Sequence, residues 1–157
     1  MKNIVFGLIF IPFCGLAQLP KYEEIATNYF IQHIYLKEYP SITKIAFSNK
    51  TEKEMTSFSL TPYCFKDKSL YDKIQFSAEK SIPEIKEIKL QLKEQVRVMD
   101  SKNKSKTKLI VFCATKVEHT IFVRVTIHKP YHFSDSYFFL LSEAGEFIKF
   151  CKSGQTI

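Results

Sequence analysis

An α+β fold, with one N-terminal helix packed on a curved antiparallel β-sheet, is what this 157-residue sequence predicts. Three observations carry the prediction. An apolar stripe recurs at three- and four-residue steps over residues 20–39. The last third alternates apolar and polar residues, with tight turns between the runs. The composition, 45% hydrophobic and 25% charged, is that of an ordinary globular chain and excludes wholesale disorder, collagen and low-complexity architectures. The length suits one domain. A chain of about 150 residues buries roughly 68–70% of its unfolded surface, so it needs neither a metal nor a dense disulfide set to fold.

The first element is an address. Lys2 gives a positive start, residues 4–13 are an apolar run, and Gly15-Leu16-Ala17 places small residues around a cleavage point. The run is about ten residues long, and a spanning helix needs about twenty. Residues 1–17 therefore read as a cleaved signal peptide, and residues 18–157 as a single α+β domain. The mature protein is expected in the periplasm or outside the cell, with no transmembrane anchor. Cys14 does not fit a lipidation site, because Phe13 stands where a small residue is required. Loss of Lys2 lowers the formal charge from +7 to +6.

Residues 20–39 predict a helix. Pro20 suits a first turn, Tyr22, Ile25, Ala26, Tyr29, Phe30, His33 and Ile34 form the stripe, and Pro40 ends it. Residues 42–48 are a short strand. Residues 54–65 and 70–77 read as a hairpin, the latter with Leu70, Ile74 and Phe76 on one face. Residues 81–99 fit both periods. Ile85, Ile88, Leu92, Val96 and Met99 favour a helix, with Ser81 and Glu84 as a capping box. Ile88, Leu90, Leu92, Val96 and Val98 alternate as a strand would, pairing with 108–117. The helix is preferred. The C-terminal part predicts a four-stranded meander: 109–117, 119–129, 136–142 and 146–152, with Ala144-Gly145 as the last turn.

The sequence carries few signs of chemistry. There is no nucleophile elbow, P-loop or dinucleotide fingerprint, and two of the four glycines lie in the leader. His128 and His132 flank Pro130, which rules out a helical metal face, and His119 and His128 fall on opposite strand faces. Neither a metal nor a cofactor is expected. Cys113 with His119 or His33 is the one nucleophile pair to consider, as a Cys/His hydrolase. Asp135 and Glu143 read as turn residues. Cys64, Cys113 and Cys151 remain after processing. In an oxidising compartment this odd count predicts one disulfide and one buried thiol, with three pairings open.

Two segments are candidate contact surfaces. Lys102, Lys104 and Lys106 alternate with small polar residues in a basic loop, which attracts anionic groups. The loop lacks the interleaved aromatics of a single-strand nucleic-acid site, and export makes nucleic acid a poor partner. Tyr131, Phe133 and Tyr137 belong to an aromatic run in a chain that holds fifteen Phe and eight Tyr. Both faces of Ser136–Ser142 are apolar. One is expected to meet the helix, the other a second layer from the same chain, a homodimer partner or a ligand.

In element order the chain resembles cystatin-like and nuclear-transport-factor-like cones. Such folds host enzymes, inhibitors and binders alike, so the resemblance implies architecture and no activity. The sequence is read as a small, non-catalytic exported module that binds a protein partner, of the inhibitor or immunity kind. The alternative is a carrier of a hydrophobic or anionic lipid-like ligand in a helix–sheet cavity.

Overall fold

The computed structural model describes residues 20–53, 65–80, 84–91, 97–100, 107–129 and 133–156. Residues 1–19, 54–64 and the lysine-rich segment 101–106 lie outside them.

The N-terminal helical run is continuous but changes pitch. It opens as α1 (Tyr22–Tyr29), passes through a π-helical segment (Phe30–Tyr35), and closes as α2 (Leu36–Glu38). The wider π turn brings Phe30 and Tyr35, five residues apart, to a ring separation of 5.9 Å. Tyr39, ahead of Pro40, leaves helical geometry at φ −127°.

After strand β1 (Lys44–Phe47), the chain forms α3 (Lys68–Lys80), then β2 (Arg97–Asp100), β3 (Lys108–Val111), β4 (Thr115–Val117), β5 (Thr120–His128), β6 (Phe133–Ser142) and β7 (Phe147–Thr156). The seven strands form one mixed sheet in the order β2-β1-β3-β5-β6-β7, with β4 also paired to β5. β1 pairs in parallel with β2 and β3, and every other pairing is antiparallel.

The alternation of β5 sorts its side chains as the sequence predicts. Ile121, Val123, Val125 and Ile127 join Tyr137, Phe139 and Leu141 of β6 beneath Phe30, Ile31, Ile34 and Tyr35. Phe122, Phe138 and Leu140 point to the other face and meet Ile74 of α3. The second layer therefore comes from the chain itself.

Three sequence expectations are corrected. Residues 70–77 are helical, not the second arm of a hairpin. Leu70, Tyr71, Ile74 and Ala78 sit at helical spacing and all contact the lower face of the sheet. Residues 84–91 hold one isolated antiparallel bridge, Glu87 with Lys50, and no helix, so the preferred helix over 81–99 does not form there or at β2. The strand alternative also misplaces its partner, because β2 pairs with β1 in parallel rather than with β3. The 109–117 strand is interrupted between β3 and β4. There Glu52 inserts, donating its N–H to Val111 O at 2.7 Å and accepting from Cys113 N–H at 3.0 Å.

Local chemistry explains α3. Asp67 Oδ1 accepts the Leu70 N–H at 3.1 Å and the Ser69 hydroxyl at 3.0 Å, which is N-cap behaviour. The Leu70 N–H bond, helped by Ser69, holds the Asp67 carboxyl below its ordinary range. A lowered folded value means the contribution is present above the unfolded value and lost as pH falls through the folded one. Asp67→Ala is expected to speed amide exchange in the first turn of α3 at pH 5. Acidification of the wild type to about pH 2 is expected to lower the protection factors of the same amides, measured against the slower intrinsic exchange at that pH. Equal exchange in variant and wild type at pH 5 would remove the cap assignment.

Candidate functional site

β7 ends the sheet, and among the described residues no strand pairs with its outer edge. Its register against β6 slips between Leu140 and Leu141: Leu140 faces Lys149, while Leu141 faces Phe147. Ile148 is the additional residue. The bulge turns Phe147 and Phe150, three apart in sequence, to the same face of the sheet. That face is the one that carries the N-terminal helix.

An aromatic platform results. Tyr29 of α1 stacks on Phe147 at 4.3 Å and 9°, and His33 closes on Tyr29 at 4.6 Å. Phe150 stacks on Phe139 at 5.8 Å, joining the platform to the core. Phe147, Ile148 and Phe150 nevertheless remain 37%, 48% and 39% exposed. A large apolar side chain left in water on its own is unremarkable. Three together on a terminal strand make an adhesive edge.

Beyond α2 lies a ring of polar groups that joins the helix end to β6 and β7. Glu38 Oε2 accepts the Tyr137 hydroxyl at 2.6 Å and Lys152 Nζ at 2.6 Å. The Tyr137 and Tyr39 hydroxyl oxygens are 2.7 Å apart. Tyr39 donates to Asp135 Oδ2 at 2.5 Å, and Lys129 Nζ donates to the same oxygen at 2.7 Å. Lys152 closes the ring at 3.7 Å from Asp135. Burial first, and then the neighbouring carboxylates, push both tyrosine hydroxyls well above their ordinary range. Burial raises Glu38 and Asp135, but bonds from Lys152 and Tyr137 to the first, and from Lys129 and Tyr39 to the second, outweigh it. Both carboxyls are held below their ordinary range. Tyr35, whose hydroxyl reaches Ile42 O, is pushed by burial up to about 12.

The residues singled out in the sequence separate. Tyr137 is interior, 0% exposed, and belongs to the ring, so it offers no contact surface. Phe133 opens β6 opposite Thr156. Tyr131, Lys102, Lys104 and Lys106 lie outside the described residues. Asp135 is within β6, not in a turn, and its carboxylate is a ring member. Cys113 is a free, buried thiol whose Sγ bonds Thr51 Oγ1 and Glu84 O, each at 3.3 Å. Among the described residues no histidine joins it in a hydrogen bond. No group of three or more His, Cys, Asp or Glu gathers there to hold a metal, and no described helix is long and apolar enough to cross a membrane.

The space between helix and sheet is filled by Phe30, Ile31, Ile34 and Tyr35 against Val123, Val125, Tyr137 and Phe139. A hollow of about 420 Å³ opens at the periphery instead, lined by Tyr22, Lys86, Ala114, Lys116, Ile121 and Glu143. The platform was hidden in the sequence because its parts come from α1 and the end of the chain. The one local signal was Phe-Ile-Lys-Phe at 147–150, where aromatics at odd and even positions imply either a buried strand or a bulge. No family model, curated protein or solved structure matches this chain.

Proposed function

We propose that the mature chain is a non-catalytic, exported binding module, of the inhibitor or immunity kind, which docks a protein partner against Phe147, Ile148 and Phe150. The observation that carries this reading is the exposure of these three side chains together on the terminal strand. The partner's contact is apolar, because the exposed side chains of this patch are two aromatics and an isoleucine. The helix lying over the antiparallel strands β5, β6 and β7 supports the resemblance to cystatin-like and nuclear-transport-factor-like cones.

Photo-crosslinking in the producing cell tests the surface. A photoreactive phenylalanine at Ile148 is expected to give one discrete protein adduct, which disappears when Phe150→Asp is added. The same group at the exposed Phe76 of α3 is the control. Adducts of equal yield and identity from both positions would end the proposal.

The carrier reading rests on the peripheral hollow, whose Lys86 and Lys116 stand beside Ile121 and Ala114. Native mass spectrometry of the purified chain separates the two: a carrier shows co-purified mass that Lys116→Glu removes, and a protein-binding module shows none.

Export also bears on the cysteines. With Cys113 a free thiol, the disulfide we propose joins Cys64 to Cys151. A non-reducing peptide map is expected to link those two peptides and to leave Cys113 open to alkylation after unfolding. A linked peptide containing Cys113 would overturn the pairing.

A further inference from the structure

The polar ring contains more short oxygen–oxygen contacts than its hydroxyl protons can fill. Four oxygens stand in line: Glu38 Oε2, Tyr137 Oη, Tyr39 Oη and Asp135 Oδ2. Successive separations are 2.6, 2.7 and 2.5 Å. Each is the length of an O–H···O bond, and two bare oxygens do not settle at that distance. Three gaps need three protons. The two tyrosines supply one each, and an ionised carboxylate supplies none. The lysines cannot fill a gap, because Lys129 and Lys152 bond the carboxylate oxygens from outside the line.

We infer that Glu38, Tyr137, Tyr39 and Asp135 form a proton-binding site, which takes one proton from water and shares it along the line between the two carboxyl groups. The proton enters at Glu38, whose side chain is 36% exposed. Glu38 then donates to Tyr137, Tyr137 turns its own O–H to Tyr39, and Tyr39 donates to Asp135. All three gaps are filled. The negative charge stays on Asp135, which faces two ammonium groups, at 2.7 and 3.7 Å. The charge summed over Glu38, Asp135, Lys129 and Lys152 rises from zero to +1.

The groups facing the line from each packed element are Glu38 and Tyr39 at the helix end, Lys129 after β5, Asp135 and Tyr137 on β6, and Lys152 on β7. The Tyr35 ring lies 5.5 Å from that of Tyr39. The ammoniums act on each carboxyl singly and oppose uptake. The unfilled gap acts on the pair and favours the first proton alone. A second proton finds no gap to fill, so the two steps separate.

Carboxyl-carbon NMR of the full chain, labelled at Asp and Glu, tests this. Glu38 and Asp135 are expected to titrate together in two steps more than about one pH unit apart, both signals moving at the first. Tyr39→Phe removes one oxygen from the line. It is expected to replace the coupled pattern with two independent single steps, whereas Tyr35→Phe, outside the line, preserves it. Should Tyr39→Phe fail to fold, hydroxyl-proton spectra of the wild type decide. Three strongly downfield signals are expected below the first midpoint and two above it. Independent single-step titration in the wild type would overturn the inference, as would an unchanged number of downfield signals across the midpoint.

Discussion

Phe30→Ala is expected to destabilise the protein by about 3–5 kcal/mol, the usual cost of truncating a fully buried phenylalanine. Two effects add. The lost ring removes apolar area from a site that is 0% exposed. It also leaves a cavity that its neighbours cannot close, because they are tied. Phe30 packs at 4.8 Å from Tyr137 and 5.9 Å from Tyr35. Tyr137 is fixed by Glu38, and Tyr35 by its bond to Ile42 O. Collapse into the hole would break one of these part-buried hydrogen bonds, which adds to the cost. A domain has only about 5–15 kcal/mol in total. Urea unfolding is expected to show a much lower midpoint with little change in slope. Phe76→Ala, at a site 58% exposed, is the comparison and is expected within about 0.5 kcal/mol of wild type. Equal midpoints for the two variants would mean that the helix does not seat on the sheet through Phe30.

What could be read from the sequence follows the range of the interactions. β5 was legible because its two-residue alternation is local and both of its faces are buried by regular neighbours. The N-terminal helix was legible from its stripe, but its π segment was not. Phe30, Ile31, Ile34 and Tyr35 lie on one side at either pitch, so the pattern holds no sign of the extra residue. α3 was missed because Leu70 and Ile74 satisfy an alternating set as well as a helical one. The Asp67 cap, three residues before Leu70, was the deciding signal. Residues 84–91 were misread for a non-local reason. Their helical spacing is real, but side chains of α1 take up the backbone instead. Asn28 Oδ1 accepts the Gln91 N–H at 2.6 Å, Asn28 Nδ2 donates to Lys89 O at 3.2 Å, and Glu24 Oε2 accepts the Lys89 N–H at 3.2 Å. Ile88 is thereby held in the core. The ring was illegible for the same reason, since Glu38 and Lys152 are 114 residues apart.

Ile74→Asp is expected to release α3 while the opposite layer stays folded. Ile74 of this helix is 0% exposed, and it meets Val117, Phe122, Phe138 and Leu140. Truncation to alanine alone costs about 2–5 kcal/mol. A carboxylate in that apolar seat adds the penalty of a buried, unpaired charge. Leu70, Tyr71 and Ala78 flank Ile74 on the same face, so the charge falls at the centre of the contact, and the exposed Lys73–Glu118 ion pair, at 2.9 Å, does little to offset it. The cheapest response is therefore to lift α3 away and leave the sheet's lower face in water. The upper cluster shares none of those side chains and should persist as its own unit. Limited proteolysis is expected to cut within residues 68–80 of the variant and not of the wild type. A dye that reports exposed apolar surface should bind the variant through Phe122 and Phe138, while amides of β5 and β6 stay protected. If β5 and β6 lost protection together with α3, the two layers would be one cooperative unit, and the sheet would depend on both coverings to fold.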